Sequence, residues 1–361
     1  MNVHPSRAAL TFALAAIVWL LVTPWTVTPL PEEAPVRAVE AVAIPVTEME
    51  RSVEFYSTVL FFEKLSDIEV AGDAYECLDA VPHLRMRVVR MRLGRELIEL
   101  RQYLTPRGRA IPPDSRSNDR WFQHVAIIVN DMDQAYLWLK RHKVQAVSSE
   151  PQRLPDWNVN AAGIQAFYFK DPDGNVLEIL QFPRDKGDRR WHTPADRVFL
   201  GIDHTAVVVG DTDASLRLYR DTLGLQIRGR SENWGPEQER LNNVSGARLR
   251  ITTLAAPAGP GIELLEYLAP RDGRALPPDS RANDLVHWQT ILAGTQPAAV
   301  ARLLRAGGYA VVSPGVIVTD GTLGYREAFV FRDSDGHAMQ FRARDATRGP
   351  LAASAKHRPA C

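Results

Sequence analysis

"AVAIPVTEMERSVEFYSTVLFF" (residues 41–62) and "HTAVVVGDTDASLRLYRDTLGL" (residues 204–225) align without a gap, placing Ser52 on Ser215, Tyr56 on Tyr219 and Leu60 on Leu223. Each opens on a short apolar run that reads as a strand and continues with apolar residues at helical spacing. A long repeat of this kind fixes the organisation of a chain before any single motif is weighed. Two further matches extend it. "IELRQYLTPRGRAIPPDSRSND" from Ile98 matches "IELLEYLAPRDGRALPPDSRAND" from Ile262 with one insertion, and "FKDPDGNVLEILQF" from Phe169 resembles "FRDSDGHAMQFRA" from Phe331. The 361-residue chain is therefore two halves of about 160 residues, each divided again at its PPDSR(S/A)ND segment. The quarters begin near residues 38, 120, 200 and 285.

Each quarter reads as a strand, a helix and then further strands. In the second, His124 to Val129 is a strand, and "DMDQAYLWLKRH" carries apolar residues at helical spacing with aspartates in its first turn, where the helix dipole favours them. "IQAFYF" and "NVLEILQF" follow, joined by the turn-forming "KDPDG".

Residues 1–37 stand outside this repeat. Ala8 to Val22 is a run of fifteen residues broken only by Thr11, below the ~20 residues needed to span a bilayer, and a Pro-rich stretch from Thr23 to Pro35 follows it. A basic start and an apolar run of this length describe a secretory segment, either cleaved or kept as a membrane anchor. The chain is expected to be exported: periplasmic, or anchored facing away from the cytoplasm. Residues 344–361 form a polar tail. Lys plus Arg balance Asp plus Glu at 43 each, which leaves no basic excess for a nucleic acid. The two cysteines, Cys77 and Cys361, have no motif spacing.

The pattern over residues 38–343 resembles the vicinal oxygen chelate superfamily, the group of glyoxalase I, extradiol dioxygenases and related epimerases and resistance proteins. "FYFKDPDGNVLEIL" and "HTAVVVGDTDASLRLYRDTLGL" carry the likeness most strongly. The resemblance implies an α+β fold of four βαβββ modules paired into two cup-shaped half-barrel sheets. The first domain would be 38–183 (modules 38–105 and 120–183), and the second 200–343 (modules 200–270 and 285–343).

In this superfamily metal ligands come from the start of the first strand and the middle of the last strand of each module. Carried over by position, the first module offers Ala41 and Glu99, the second His124 and Glu178, the third His204 and Glu263, the fourth Gln289 and Gln340. The two central modules thus hold a full His, Glu, His, Glu set. Pairing in sequence order would give two mixed sites. Crossed pairing of the second module with the third would give one complete site and one degenerate one, and it concentrates the good ligands. Strand alternation supports the central set independently. Glu178 shares a face with Val176, Leu180 and Phe182; His124 with Phe122, Ala126 and Ile128; His204 with Ile202, Ala206 and Val208. A carboxylate on an apolar face is costly unless its charge is compensated. A divalent cation (Zn, Ni, Mn, Co or Fe) compensates two, and two neutral imidazoles complete four ligands.

A second repeated feature is Arg-x-Arg, with Arg85 and Arg87 in the first half and Arg248 and Arg250 in the second. Arg87 and Arg250 are candidates to grip a substrate anion, against the alternative of a solvated strand face.

Three functions fit the resemblance. The first is a lyase or isomerase of glyoxalase or epimerase type. Its metal would bind two neighbouring oxygens of a small substrate and stabilise an enediolate, while Glu178 or Glu263 moves the proton. The second is an Fe(II) dioxygenase using two histidines and a carboxylate. The third is a metal-free small-molecule binding or resistance protein.

Overall fold

The computed structural model describes Met1 and residues 34–343, so the apolar run Ala8–Val22 and the polar tail lie outside the described residues. Among the described residues no helix is long and apolar enough to cross a membrane.

The first module contains β1 (Val36–Pro45), α1 (Met49–Glu54), β2 (Glu63–Ala71), α2 (Asp73–Asp79), β3 (Arg85–Leu93) and β4 (Glu96–Thr105). The second contains β5 (Gln123–Val129), α3 (Met132–Arg141), two short strands β6 (Gln145–Ala146) and β7 (Gln152–Arg153), then β8 (Gln165–Lys170) and β9 (Val176–Gln181). The third repeats the first as β10 (Phe199–Val209), α4 (Thr212–Leu216), β11 (Gln226–Trp234), α5 (Pro236–Asn242), β12 (Arg248–Ala255) and β13 (Gly261–Ala269). The fourth has β14 (Gln289–Gly294), α6 (Pro297–Ala306), β15 (Ile317–Val318), β16 (Glu327–Arg332) and β17 (Ala338–Ala343). The expected α+β modules are present, with one addition: modules one and three each insert a short helix, α2 or α5, between their second and third strands.

Local chemistry sets these elements. Asp131 caps α3 by accepting from the Gln134 amide, while Met132, Ala135 and Leu139 bury one stripe of the helix and Lys140 and Arg141 close its last turn. Asp211 caps α4 in the same way. In the KDPDG turn, Asp171 accepts from the Asp173 and Asn175 amides, and Tyr56 of the first module donates to its other oxygen. Tyr219 and Asp333 repeat that contact in the second half.

Two sheets result, and the modules cross between the halves. Sheet A runs β15-β16-β17-β14-β1-β4-β3-β2, joining modules four and one. Sheet B runs β11-β12-β13-β10-β5-β9-β8-β6, joining modules three and two, with β7 on β8. The seams are the antiparallel pairs β1–β14 and β5–β10.

The other faces of the strands pack in sequence order. One core gathers Ile44, Tyr56 and Leu100 of module one with Ile127, Phe167 and Ile179 of module two. A second joins Val207, Tyr219 and Leu264 to Phe329, Met339 and Phe341. Each half therefore shares a helix-side core, while each cup is built from both halves. Reciprocal straps fasten the arrangement: Arg109 binds Asp284 and Asp279, and Arg274 binds Asp119 and Asp114. Those acids belong to the repeated PPDSR(S/A)ND segments.

Candidate metal centre

Register places the four candidate ligands. Across sheet B, Glu178 on β9 lies opposite Ala126 on β5, and Ala126 lies opposite His204 on β10. One step along, His124 on β5 lies opposite Ala206 on β10, and Ala206 opposite Glu263 on β13. Each row thus pairs the histidine of one module with the glutamate of the other, separated by an alanine too small to fill the gap. The glutamates fall at opposite corners of the square.

The side chains converge. Glu178 Oε2 is 3.2 Å from His124 Nε2 and 3.6 Å from His204 Nε2, while Glu263 Oε2 is 3.3 Å from His204 Nε2. His124, Glu178 and His204 are buried and each offers a ligand atom within 4.8 Å of the others, a grouping that could hold a metal ion. Glu263 is more open, with its side chain 19% exposed. Thr253 donates to its Oε1 at 2.7 Å. The ring nitrogens do not satisfy one another: both nitrogens of His124 and Nε2 of His204 are buried without a hydrogen-bond partner. Buried polar atoms are normally paired, so the two unpartnered Nε2 atoms that face carboxylates suit a shared cation.

Two groups orient the centre. Asp203 Oδ2 lies 3.0 Å from His204 Nδ1, and Trp191 Nε1 donates to Asp203 Oδ1. A carboxylate on Nδ1 fixes the tautomer that leaves the Nε2 lone pair free for a metal. Burial alone would lower the His204 pKa, but the charges of Glu263, Asp203 and Glu178 overcome it and raise the group to about 10.

The centre opens onto a cavity of about 500 Å³ whose walls include Glu178, His204 and Glu263. Its apolar lining includes Ile164, Ala166 and Leu180 of the second module and Leu249 and Ile251 of β12, which pair with Asn233 and Ser231 of β11. Its polar lining is built on a chain of amides. Asn158 donates to Asn233 at 2.7 Å, Asn233 to Gln238 at 3.1 Å, and Gln238 to Asn242. Asp203, Thr253 and this amide chain are site residues that the repeat does not single out.

Arg87 and Arg250 do not reach the cavity, which corrects the expectation that they grip a substrate anion. Arg87 is bound to Asp67 and Glu50, and it holds Asp67 at a pKa of about 2. Arg250 is paired with Glu266 at 3.2 Å and Asp213 at 3.6 Å. Leu249, Ile251 and Thr253 of β12 line the cavity, so alternation turns Arg250 to the other face.

Sheet A has the same rows and different contents. Glu99 lies opposite Ala43, and Ala43 opposite Gln289; Ala41 lies opposite Ile291, and Ile291 opposite Gln340. Arg342 grips Glu99 with two bonds of 2.8 Å, and Arg101 adds a third at 2.9 Å. Arg101 also donates to Gln289 and Gln340, and Arg342 to Gln340. Burial would raise the Glu99 pKa, but Arg342 and Arg101 hold it well below the usual carboxylate range.

Comparison with known proteins agrees with this architecture. The model of the Glyoxalase/Bleomycin resistance protein/Dioxygenase superfamily matches residues 38–179 and again 201–341. A 2-epi-5-epi-valiolone epimerase from Actinomyces sp is 31% identical over 150 residues, covering 40% of this chain and 80% of that protein. Glyoxalase I from Zea mays shares the fold with a TM-score of 0.55 at 13% identity, over 85% of this chain and 92% of that one. A putative dioxygenase from Bacillus subtilis does so with a TM-score of 0.52 at 16% identity, over 86% of each chain. The chain belongs to the glyoxalase/bleomycin resistance protein/dioxygenase superfamily.

Proposed function

We propose that the protein is an exported metal-dependent epimerase or isomerase acting on a small substrate with two neighbouring oxygens, such as a hydroxy-ketone. The observation that carries this is the diagonal placement of Glu178 and Glu263 across one His124–His204 pair. His124, His204, Glu178 and Glu263 would hold a divalent ion, one of Zn, Ni, Mn, Co or Fe. Such an ion supplies positive charge that stabilises the enediolate left when a carbon beside a carbonyl loses its proton. Glu263, the more open acid and tethered by Thr253, takes the proton from that carbon; the C–H electron pair moves onto the carbonyl oxygen. Glu178, at the opposite corner, delivers a proton to the other face of the same carbon, and both carboxyls exchange protons with water between turnovers. The apolar wall of the cup keeps bulk water away from the carbanion. The epimerase relative supports this reaction type, and the apolar run Ala8–Val22 supports export.

Elemental analysis of native protein, together with exchange of substrate α-protons in D₂O followed by NMR, tests the proposal. About one ion per chain and metal-dependent exchange are expected. Exchange that persists unchanged after chelation would sink it.

One observation favours a second reading. His124, Glu178 and His204 form the tighter group, with Glu263 outside it, which is the two-histidine, one-carboxylate set of an Fe(II) oxygenase. Bound iron with oxygen uptake on a catechol would select that function instead.

A further inference from the structure

A second cavity, of about 230 Å³, lies beside the metal cup, and none of His124, Glu178, His204 and Glu263 lines it. It is bordered by the first PPDSR segment, the entry to β5, the turn after β8 and the residues that lead into β14. Register fixes its place. Lys170 on β8 lies opposite Val176 on β9, and Val176 opposite His124 on β5, so Lys170 stands on the same face as His124, two strands away.

This cavity carries positive charge and no acid. Lys170 and Arg116 line it, and no Asp or Glu does. Arg116 is committed to Asp272, 2.9 Å away. The half-buried Lys170 has no ion pair and no side-chain hydrogen bond among the described residues. Deeper in, Ser117 and Gln123 are buried, and neither side chain is hydrogen-bonded to another described residue. Buried hydroxyls and amides are normally paired. Trp121, Phe122 and Trp288 complete the lining. The indole N–H groups are spent on Ser115 and Asn175, so these rings offer the cavity apolar surface.

The other half shows the same place filled. In the repeat Lys170 corresponds to Arg332, Ser115 to Ser280 and Phe122 to His287. Arg332 reaches the Ser280 carbonyl at 2.6 Å and His287 Nδ1 at 3.3 Å. That cation is absorbed by its own protein, and the Lys170 ammonium is not.

We propose that this second cavity binds a small aromatic carboxylate, with the acid group at Lys170 and the ring among Trp121, Phe122 and Trp288. A carboxylate supplies the negative charge that no lining residue provides, and it accepts hydrogen bonds from Lys170 and from Ser117 or Gln123. The volume falls below the about 300–1,000 Å³ of drug-sized pockets, which limits the ligand to a single ring. The inference does not depend on the metal-dependent reading.

Calorimetry on the full-length chain tests it, with benzoate as the probe and its neutral isostere benzamide as the control. Each titration is run with metal and again after chelation. One equivalent of benzoate should bind in both states, and benzamide about tenfold more weakly, because a charge-assisted hydrogen bond is lost. Lys170→Gln should weaken benzoate about tenfold and leave benzamide and the urea midpoint unchanged. Ser117→Leu, which fills the cavity, should weaken both ligands. Benzoate binding that disappears on chelation would place the acid on the metal and overturn the proposal. Equal affinity for benzamide, indifference to either substitution, or no binding of benzoate at millimolar concentration would overturn it as well.

Discussion

Sheet A and sheet B place a buried glutamate at the same point of the same strand, and they neutralise it differently. Two residues beyond Glu99 stands Arg101, where the metal cup has Leu265 beyond Glu263. Two residues beyond Gln340 stands Arg342, where the metal cup has Leu180 beyond Glu178. In sheet A, then, side-chain guanidinia neutralise the acid, whereas sheet B sets its acids against two imidazoles in a grouping that could hold a metal ion. The outer modules have not merely lost ligands. Gln289 and Gln340 are acceptors for Arg101 and Arg342, so the positions that offer ligands in sheet B are engaged here by guanidinium groups. A buried carboxylate needs a positive partner, and sheet A supplies it from its own side chains.

Breaking the internal solution should give the largest effect. Arg342→Leu removes the bidentate partner of a fully buried acid, and the expected loss is about 3–5 kcal/mol of unfolding free energy in urea titrations. Adding Glu99→Leu together with Arg101→Leu, so that no buried guanidinium loses its acid, should recover most of it. A triple variant no more stable than Arg342→Leu alone would show that packing against the Tyr325 ring, 4.1 Å away, matters more than charge. The reciprocal exchange sharpens the same comparison: Leu180→Arg in sheet B should pair with Glu178 and drive metal content towards zero while the fold persists.

Ligand removal comes next. His124→Ala and His204→Ala should each abolish bound metal in elemental analysis, because the two rings, 5.6 Å apart, share one centre across the β5–β10 seam. Full retention in either variant would break the shared site. Asp203→Asn keeps the shape but weakens the grip on His204 Nδ1, and metal affinity should fall about 10- to 100-fold by competition with a chelator.

Much of this was legible in the sequence, and the misses share a physical cause. The repeat gave the four modules, and the superfamily resemblance, carried over by position, pointed to His124, Glu178, His204 and Glu263. Pairing was harder. The halves share helix-side cores in sequence order while their sheets cross, and a local pattern carries no trace of which contact each strand face makes. Arg87 and Arg250 were misplaced because period-two alternation identifies faces without saying which is concave. Arg101 and Arg342 were missed although alternation puts residue i+2 beside a ligand position, so that signal was present. Asp203 is different. Neighbours on a regular strand point apart, but the register shift between Ile202 and His204 lets Asp203 reach the adjacent imidazole. No sequence pattern announces such a bulge.

The two cups also predict opposite behaviour for their histidines. His287, on the strand face that leads into sheet A, is pushed down to about 3 by burial and by the Arg332 and Arg101 charges. His204 is raised to about 10 by the acids of sheet B, which outweigh its burial. An unfolded histidine titrates near pH ~6.5. Below that value the unfolded chain holds a proton at position 287 that the folded chain refuses, so stability should fall by about 1.4 kcal/mol per pH unit as pH drops towards 3. Above it the folded metal-free chain keeps a proton at position 204 that the unfolded chain has lost. The stability contributed by His204 is therefore complete below the unfolded value and declines as pH rises towards 10. His287→Phe, which copies the Phe122 of module two, should flatten the acid limb alone. Saturating metal should flatten the alkaline limb alone, since a metal-bound imidazole carries no proton at Nε2. Urea titrations across pH with and without metal read both limbs, and an alkaline limb that metal leaves untouched would mean that His204 is not a ligand.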